Sequence, residues 1–491
     1  MGTSRTPSTE APGVSGHTTP GGVAENGRPR PTGARPPFDT VLVANRGEIA
    51  LRVIRSCREL GIRTVVAHSA ADDDSAAVRA ADASVRIGPG PSRRSYLYAP
   101  AVIEAALSTG AQAVHPGYGF LSEDPDFAEI CADNGLVFVG PRPEVMAELG
   151  DKALARRRMA AAGLPVLPGT TEAVRGTDEI VEIASRIGFP LIIKASAGGG
   201  GRGMAVVRAA DDLVPTYRAT RAAARSTFGD DSVYVERYWD RARHVEVQVL
   251  ADTHGTVLHL GERDCSVQRR HQKLVEESPA PGLSADLRSR LCEYAVRGAR
   301  AVGYTGAGTF EFLVQGEEIA FIEMNCRIQV EHPVTEMVTG VDIVREQLMV
   351  AAGHPVSLSQ REIVPRGVAV ECRVNAEDPD LDFAPRPGLV SEFVPPGGPF
   401  VRVDTAAYPG WRVPTEYDSL LAKVVVWGPD RAQALSRMDR ALDEFRVAGP
   451  GLRTTVGVLR RVLAEPTFRA GTHTTALLAG GVDRLPVVEP G

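Results

Sequence analysis

The sequence predicts an α/β (α+β) protein with more than one domain. The apolar run at residues 41–44 is typical of a buried strand, and apolar residues at helical spacing separate it from a second strand-like segment at 64–67. Three later segments, 244–249, 309–313 and 321–325, alternate apolar and polar residues, which indicates strands with one polar face. An antiparallel sheet is the simplest arrangement for these three strands. Because 491 residues exceed the size at which a single core stops growing, we expect about two to four packed units.

Composition and charge narrow the class of protein. Hydrophobic residues make up 43% of the chain, charged residues 24%, and the net charge is -6, which is typical of a globular protein with no bias toward polyanions. Six cysteines are scattered without metal-like spacing, which favours a reducing compartment. No apolar stretch reaches the roughly 18 residues needed to span a bilayer, and the N-terminus lacks the apolar core of a signal peptide. We therefore expect a cytoplasmic protein that binds neither nucleic acid nor a membrane.

The first 37 residues differ in composition from the rest of the chain. They contain no Leu, Ile, Phe, Tyr or Trp, so they cannot bury enough apolar surface to offset the entropy of ordering. We expect a disordered tail at 1–37 and an N-terminal α/β domain at 38–150. The first strand-to-helix turn of that domain, residues 45–48, reads Asn-Arg-Gly-Glu, whereas a dinucleotide-binding domain places Gly-x-Gly-x-x-Gly there. This difference argues against a dehydrogenase of the Rossmann type.

A run of four glycines lies in a smaller unit between about residues 164 and 238. Lys194 ends an apolar strand, and the glycines of residues 198–201 begin four residues later, with Arg202 directly after them. Glycine amides can approach a phosphate without interference from side chains. Composition alone leaves a flexible surface loop equally open. The terminal Gly-Lys-Ser/Thr of a Walker loop is absent, so any phosphate site here belongs to a different scaffold.

Two neighbouring strands carry carboxylates among apolar residues. Glu311 faces away from Phe310 and Phe312, while Glu323 and Asn325 share one face of the next strand. Oxygen ligands of this kind suit Mg²⁺ at nucleotide phosphates. A solvated strand face would explain either carboxylate alone. Two like charges among apolar neighbours are costly without a cation, so the pattern favours a metal site.

Two short segments combine cations with groups that can accept a proton. Residues 327–333 read Arg-Ile-Gln-Val-Glu-His-Pro, and alternate positions offer an arginine, an amide and a carboxylate. Such a set suits a small oxyanion that must also lose a proton. Residues 268–273, Gln-Arg-Arg-His-Gln-Lys, supply further cations and a histidine, although a solvated basic patch would also explain them.

Lysine is nearly absent from this chain. Of the 55 basic residues four are lysine, and the others are arginine. Because an ammonium is a compact charge and a guanidinium is a planar fork, the two are exchangeable mainly on solvated surfaces. We therefore expect the remaining lysines to mark sites where arginine would fail. They are Lys152, Lys194, Lys273 and Lys423.

Taken together, these segments resemble the biotin carboxylase family of ATP-grasp enzymes. The resemblance runs from about Val41 to about Leu478 and rests on residues 43–48, 115–119, 194–201, 321–325 and 327–333. It implies a three-part ATP-grasp architecture with an N-terminal α/β domain, a mobile lid and a C-terminal mixed domain. The implied bounds are 38–150 for the first domain, 151–350 for the ATP-grasp region with its lid near 166–238, and 364–480 for the C-terminal domain.

The resemblance also implies roles for residues of the ATP-grasp region. Lys152, Lys194 and the glycine loop would contact the phosphates of ATP, and residues 236–239 would line the adenine pocket. Two Mg²⁺ or Mn²⁺ ions would be held by Glu311, Glu323 and Asn325, in agreement with the strand pattern. The residues expected to bind ATP are Lys152, Lys194, Gly198, Gly199, Gly200, Gly201, Glu236, Arg237, Tyr238, Trp239, His244, Gln268, His271, Glu311 and Glu323.

Bicarbonate and biotin would bind next to the nucleotide. Glu331 would remove the bicarbonate proton, and the resulting nucleophile would attack the γ-phosphate to give carboxyphosphate. Arg373 would stabilise the enolate of biotin as it attacks the released CO₂, with Tyr118 also at the biotin site. Lys423 matches the family, but the resemblance implies no role for it. The groups expected to hold bicarbonate are Lys273, Arg327, Gln329 and the Val330 amide, and the expected catalytic residues are Lys273, Arg327, Glu331 and Arg373.

Partners follow from the same resemblance. Biotin is attached to a lysine, typically within Met-Lys-Met, and none of the four lysines has that neighbourhood. A biotin carrier protein and a carboxyltransferase are therefore expected on other chains, and the chain itself is expected to form a homodimer. The implied activity is the first half-reaction of an acyl-CoA carboxylase, such as the acetyl-CoA carboxylase of fatty acid biosynthesis, with the acyl acceptor left open. The alternatives are another ATP-grasp ligase, which activates a carboxylate or makes carbamoyl phosphate, and an inactive nucleotide-binding regulator.

Overall fold

The N-terminal part of the chain folds into a six-stranded sheet with helices packed against it. The computed structural model describes residues 1–2, 24–25, 36–170, 172–196 and 203–487. The strands of this sheet are β1 (Ala24–Glu25), β2 (Thr40–Val43), β3 (Arg63–Ser69), β4 (Ala83–Gly88), β5 (Ala113–His115) and β6 (Val137–Phe138). The helices are α1 (Gly47–Glu59), α2 (Ala76–Ala80), α3 (Ala99–Ser108), α4 (Pro125–Asp133) and α5 (Pro143–Gly150).

The strands from β2 to β6 pair in parallel, and the central strand β2 contains a continuous apolar run. The sheet order is β1-β4-β3-β2-β5-β6, and all four residues of β2 are buried. A parallel strand is covered on both faces, so it needs a continuous apolar run. Helix α1 follows β2 directly and packs Ile49, Val53 and Ile54 into the core beneath the sheet. The βαβ unit predicted at the start of the domain is confirmed.

The predicted disordered tail contains one short strand, which the sequence analysis did not anticipate. Ala24 and Glu25 pair antiparallel with Ser84 and Ala83 of β4. The outer side of β4 would otherwise present unpaired N–H and C=O groups, and two residues of extended backbone pair with part of that edge. Residues 3–23 and 26–35 of that tail lie outside the described residues.

A small antiparallel unit occupies the region in which the lid is predicted. Helix α6 (Lys152–Ala161) leads into it, and its three strands are ordered β8-β7-β9. Ile180, Leu191 and Tyr217 belong to its separate apolar core. Residues 197–202, which include the glycine run, lie outside the described residues. The elements of the unit are α7 (Thr177–Ile187), β7 (Leu191–Ala195), β8 (Met204–Val207), α8 (Leu213–Phe228) and β9 (Val233–Arg237).

A large antiparallel sheet forms the centre of the molecule, as the alternating segments predict. Its first five strands in spatial order are β14-β13-β10-β11-β12. Val245, Val247 and Val249 of β10 pack in the core that contains helix α9, so the even-numbered polar residues of this strand face the opposite side. The elements here are β10 (Arg243–Ala251), β11 (Val257–Arg269), β12 (Gln272–Ser278), α9 (Ala285–Ala301), β13 (Gly306–Gln315), β14 (Glu318–Asn325), α10 (His332–Thr339) and α11 (Ile343–Ala351).

The C-terminal part of the chain continues the same sheet. Strand β15 pairs with β12, and the order continues β15-β20-β19, so one eight-stranded sheet crosses both regions. No helix in the described part of the chain is long and apolar enough to cross a membrane. The remaining elements are β15 (Val368–Asn375), β16 (Glu377–Asp378), β17 (Ala384–Pro385), β18 (Glu392–Val394), β19 (Val401–Thr405), β20 (Leu420–Gly428), α12 (Arg431–Glu444), β21 (Arg446–Ala448), α13 (Val456–Ala464) and α14 (Pro466–Arg469).

A buried carboxylate on β11 ties the C-terminal segment to the central sheet. Asp264 Oδ2 accepts hydrogen bonds from Arg243 Nε at 3.0 Å and Nη2 at 2.6 Å, and His473 Nε2 lies 3.1 Å from Asp264 Oδ1. Burial alone would raise the pKa of Asp264, but the bonds from His473 and Arg243 outweigh burial and hold the pKa well below its usual range. The carboxylate therefore stabilises the fold at neutral pH.

We expect Asp264→Asn to lower the free energy of unfolding by about 3 kcal/mol at pH 7, because the change leaves the largely buried guanidinium of Arg243 without its partner charge. A depressed pKa stabilises the native state above the unfolded pKa of about 3.9, and the contribution is lost as pH falls toward the native value. The difference between the two proteins should therefore shrink near pH 3. Urea unfolding at both pH values measures it. Asp286→Asn, at an exposed position of α9, is the control and should change stability by less than about 0.5 kcal/mol; equal losses in both variants would contradict the prediction.

Candidate active site

The centre of the candidate site is Lys273 on β12. Its ammonium group donates to three carboxylates, with Nζ at 2.6 Å from Glu246 Oε2, 3.0 Å from Glu311 Oε1 and 2.5 Å from Glu331 Oε1. Glu246 and Glu311 are paired across β10 and β13, while Glu331 directly precedes α10. All three protons of the ammonium group are used in these contacts. Lys273 thus joins two strands of the sheet to the loop that follows β14.

Glu331 lies between two largely buried cations. Its Oε1 accepts from Lys273, and its Oε2 accepts from Arg373 Nη2 at 2.9 Å. Burial alone would raise the pKa of Glu331, but Lys273 and Arg373 outweigh it and hold the pKa below its usual range. Arg373 Nε also donates to Glu276 Oε1 at 2.6 Å, and burial nevertheless raises the pKa of Glu276 to about 7. Of these two acids, Glu331 is therefore the one that is ionised throughout the neutral range.

A buried arginine orients the amide of Gln329. Arg263 is fully buried on β11, and its Nη2 donates to Gln329 Oε1 at 3.0 Å while its Nε donates to Glu246 Oε1 at 2.5 Å. The oxygen of Gln329 is thereby occupied, and its Nε2 donates to Glu311 Oε1 at 2.8 Å. Arg263 therefore fixes which end of the Gln329 amide faces the site.

The predicted metal ligands come together on β13 and β14. Glu311 and Glu323 are directly opposite in register, and Asn325 Nδ2 donates to Glu311 Oε1 at 2.9 Å. Two carboxylates and an amide oxygen on one face are hard ligands, and they fit Mg²⁺. Lys152 Nζ lies 3.4 Å from Glu323 Oε2, so a cation already stands beside the second carboxylate. These residues fit the divalent ions that the resemblance implies.

Two predicted nucleotide-binding residues adjoin this cluster. His244 Nε2 lies 3.0 Å from Glu311 Oε2, and although burial opposes it, this carboxylate raises the pKa of His244. Gln268 Nε2 lies 3.3 Å from the other ring nitrogen of His244. The side chains of His244, Gln268 and Glu311 are therefore held as one group on the polar face of the sheet.

The predicted residues of the lid form a second group. Lys194 on β7 pairs with the buried carboxylate of Glu236 on β9, which also pairs with Arg156 of α6. Arg237 Nη1 donates to the Ile187 carbonyl at 3.0 Å, so its side chain caps the C-terminal end of α7. The remaining predicted residues have fewer contacts with this group. The Arg208 guanidinium lies 6.0 Å from the ring centroid of Tyr238, and Trp239 lines a cavity of about 370 Å³ with Tyr294 and Pro165. His271 is exposed in the turn after β11. Gly198, Gly199, Gly200 and Gly201 lie outside the described residues.

Arg327 and Tyr118 complete the predicted set. Arg327 Nη2 donates to Asn325 Oδ1 at 3.0 Å, and its Nε donates to Glu123 Oε2 at 2.9 Å. The Tyr118 hydroxyl donates to Glu48 Oε1 at 2.5 Å. Both residues are thus held by carboxylates of the N-terminal domain, and the site draws on residues from each of the three predicted domains.

Several residues that shape the site were missed by the sequence analysis. Glu246 could have been found, because it shares the polar face of β10 with His244. The others reach the site through pairings between distant segments, which local pattern does not reveal. They are Glu48, Glu123, Arg263 and Glu276, together with Lys423, to which no role had been assigned.

Three family models match the chain in succession. "Biotin carboxylase, N-terminal domain" matches residues 37–146, "Carbamoyl-phosphate synthase L chain, ATP binding domain" matches residues 151–359, and "Biotin carboxylase C-terminal domain" matches residues 371–480. Biotin carboxylases of Nostoc sp. and Bacillus subtilis are 51% and 49% identical to the chain, over 90% and 89% of its length and 98% and 97% of theirs. The biotin carboxylase of Haemophilus influenzae is 51% identical, over 88% of this chain and 96% of its own length.

Solved structures give the same result. The biotin carboxylase domain dimer of the Hydrogenobacter thermophilus 2-oxoglutarate carboxylase, in complex with MgADP, ADP and bicarbonate, matches with a TM-score of 0.87 at 44% identity, over 90% of this chain and 97% of that one. A biotin carboxylase complex with "beta-gamma-ATP" from Campylobacter jejuni matches with a TM-score of 0.87 at 46% identity, over 90% and 99%. These similarities confirm the expected ATP-grasp architecture.

Proposed function

The chain belongs to the biotin carboxylase family, and from that premise we propose how its residues carry out the reaction. The enzyme uses ATP and bicarbonate to carboxylate biotin, which is the first half-reaction of an acyl-CoA carboxylase. One observation carries the assignment of residues. The Glu331 carboxylate is held between the cations of Lys273 and Arg373, beside a pair of carboxylates that fits Mg²⁺.

Bicarbonate binds among Lys273, Arg327, Gln329 and the Val330 amide, and Glu331 removes its proton. A carboxylate with so low a pKa is a weak base while both cations are bound to it. The incoming anion takes over hydrogen bonds from Lys273, which weakens the hold of that cation on Glu331 and raises the pKa of the base as the substrate arrives. The Lys273 contact that helps to keep Glu331 ionised in the free enzyme therefore becomes a contact to bicarbonate.

The deprotonated bicarbonate oxygen attacks the γ-phosphorus as the bond to the bridging oxygen of the β-phosphate breaks, which gives ADP and carboxyphosphate. Phosphoryl transfer depends mainly on positioning and on neutralising charge. Lys152 and Lys194 supply cations at the phosphates. Glu311, Glu323 and Asn325 hold the Mg²⁺ ions, which when bound neutralise the charge of the nucleotide phosphates.

Biotin reacts in the second step. Carboxyphosphate breaks down to CO₂ and fully deprotonated phosphate. The phosphate takes the proton from the ureido nitrogen of biotin, and this nitrogen of the resulting enolate forms a bond to the carbon of CO₂. The Arg373 guanidinium stabilises the negative charge on the enolate oxygen, and Tyr118 lies at the same subsite. Closure of the lid keeps water away from carboxyphosphate, which would otherwise be hydrolysed.

A second candidate, a ligase that forms carbamoyl phosphate, draws support from the match of residues 151–359 to the ATP-binding domain of carbamoyl-phosphate synthase. The segments on either side of that match are biotin carboxylase domains, and a ligase of that kind has no need of Arg373. The biotin carboxylase reaction is therefore the better supported of the two.

The remaining expectations are part of the same proposal. The domain bounds are 38–150, 151–350 and 364–480, with the lid near 166–238. The biotin arrives on a carrier protein, a carboxyltransferase acts on the product, and the chain forms a homodimer, as the Hydrogenobacter thermophilus domain does. A cytoplasmic location is consistent with its six cysteines, all of which are free and buried.

The direct test is ADP release measured with ATP and bicarbonate, with and without free biotin. We expect ADP release that depends on bicarbonate and increases when biotin is added. A rate that biotin leaves unchanged would favour the alternative ligase, and a rate that does not depend on bicarbonate would overturn both the reaction and the assignment of Glu331.

A further inference from the structure

Lys423 occupies a central position in the C-terminal part of the sheet. It lies on β20 and is fully buried. In register it stands opposite Arg373 on β15 and opposite Asp404 on β19. Residues that are directly opposite in an antiparallel pair share a face of the sheet. Lys423 therefore projects on the same side as Arg373, toward the loop that carries Glu331.

The ammonium group of Lys423 holds the backbone of that loop. Its Nζ donates to the Val330 carbonyl at 2.9 Å. This carbonyl belongs to the peptide group that joins Val330 to Glu331, so the contact fixes the plane from which the Glu331 side chain starts. The Val330 amide, on the other side of the same residue, is proposed to bind bicarbonate. One hydrogen bond from Lys423 thus constrains both the base and a bicarbonate ligand.

The same ammonium group also reaches the biotin side of the site. Its Nζ lies 3.0 Å from Glu48 Oε1, and this oxygen accepts the hydroxyl of Tyr118. Asp404 Oδ2 is more distant, at 3.9 Å. Glu48 belongs to the first turn of α1, so Lys423 connects three separated parts of the chain. It contacts the loop of the bicarbonate subsite and, through Glu48, a residue proposed for the biotin subsite.

Geometry explains why this position carries lysine in a chain that otherwise uses arginine. An ammonium is a point charge whose three protons can be directed at separate acceptors, whereas a guanidinium is a larger planar fork. Here the acceptors are a peptide carbonyl and carboxylates on different elements, and no part of the side chain is exposed. A guanidinium at this position would have to displace closely packed neighbours.

We propose that Lys423 is a positioning residue that fixes the Val330–Glu331 peptide for bicarbonate activation and couples it, through Glu48, to Tyr118. The inference rests on the proposed function of the site. It assigns Lys423 no contact with a substrate. Its effect is exerted on groups that touch bicarbonate and biotin, and nucleotide binding should be independent of it.

The test is steady-state kinetics of Lys423→Met, which removes the charge and keeps an unbranched side chain of similar length. We expect the KM for bicarbonate to rise and kcat/KM for bicarbonate to fall by roughly tenfold or more, the size expected for losing a charge-assisted hydrogen bond that positions a base. The affinity for ADP, measured by calorimetry, should stay within about twofold of the parent enzyme. An unchanged kcat/KM for bicarbonate would overturn the proposal.

A double variant separates positioning from charge balance. Glu48→Gln combined with Lys423→Met removes both charges, so neither group is left buried without its partner, and it serves also if the single variant does not fold. We expect bicarbonate kinetics to remain impaired in the double variant, because the Val330 carbonyl still lacks its donor. Recovery of the parent KM for bicarbonate would show that Lys423 only neutralises Glu48, which would overturn the proposal.

Two comparisons complete the design. Arg460→Met removes the 2.7 Å ion pair with Asp443 between α13 and α12, and it should leave bicarbonate kinetics unchanged. A comparable rise in KM for this variant would mean that any loss of an ion pair in this domain disturbs the site, which also contradicts the proposal. The parent enzyme is assayed first, because ADP release that does not depend on bicarbonate would refute the proposed function itself and not the role of Lys423.

Discussion

Glu331→Gln is expected to lower bicarbonate-dependent ADP release and biotin carboxylation together by about a thousandfold, within the range for loss of a general base. The side chain keeps its size, and its oxygen can still accept from Lys273 or Arg373. It cannot take a proton from bicarbonate, so the nucleophile that attacks the γ-phosphate does not form. Coupled assays of ADP release and of carboxybiotin measure the two rates. Arg327→Ala is expected to give a similar loss, because bicarbonate is then no longer held against the base.

The control for this experiment is Glu318→Gln at the exposed start of β14, which should leave both rates unchanged. Nucleotide affinity should be retained in Glu331→Gln, because the proposed phosphate contacts do not involve this residue. A Glu331→Gln enzyme that released ADP at the parent rate in the presence of bicarbonate would remove Glu331 from the mechanism.

Arg373→Met is expected to have the second largest effect, on biotin carboxylation in particular. The loss of the guanidinium removes the charge opposite the developing enolate, and we expect carboxybiotin formation to fall by about 10²- to 10³-fold, the size found for a lost oxyanion donor. ADP release should fall less, since Lys273 remains beside Glu331. The ratio of ADP to carboxybiotin, measured in one reaction mixture, should therefore rise.

The same variant should shift the pH dependence of ADP release. Arg373 lowers the pKa of Glu331, so its removal raises that pKa, and the base becomes protonated at a higher pH than in the parent enzyme. The acid limb of the pH profile should move upward. Arg373→Lys, which keeps one charge but cannot bridge Glu276 and Glu331 as a fork, is the matched variant and should show a smaller shift. Equal losses in the two assays with no change in the pH profile would contradict the assignment.

Local sequence pattern was sufficient to predict that the polar side chains of β13 and β14 lie together on one face of the sheet. Glu311, Glu323 and Asn325 alternate with apolar residues within short segments, and strands that are close in sequence pair as hairpins. The contact between Lys423 and Val330 was not predictable in this way. It depends on the register of β15 with β20 and on a loop about ninety residues away, and neither is specified by the residues next to Lys423.

The two carboxylates that hold Arg327 and Tyr118 show the same limit. Glu48 lies in the first turn of α1, within the segment 45–48 that argues against a dinucleotide-binding domain, and Glu123 follows residues 115–119, which carry part of the family resemblance. Each lies in or beside a recognised motif, but its partner is distant in the sequence. Periodicity reports which face of an element is buried and gives no information about which other element covers that face.

The pairing of β12 with β15 has a consequence for recombination between relatives. Residues 360–370 separate two segments that match different family models, so an exchange of domains between relatives would be expected to join the chain there. The pairing of Val275 with Cys372 nevertheless joins strands from the two sides of this point, and the same strand pair brings Lys273 and Arg373 to Glu331. A chimera joined there would have to preserve the pairing of β12 with β15, and the ion pairs at Glu331, between segments taken from different relatives. We therefore expect the two segments to be exchanged between relatives together and not separately.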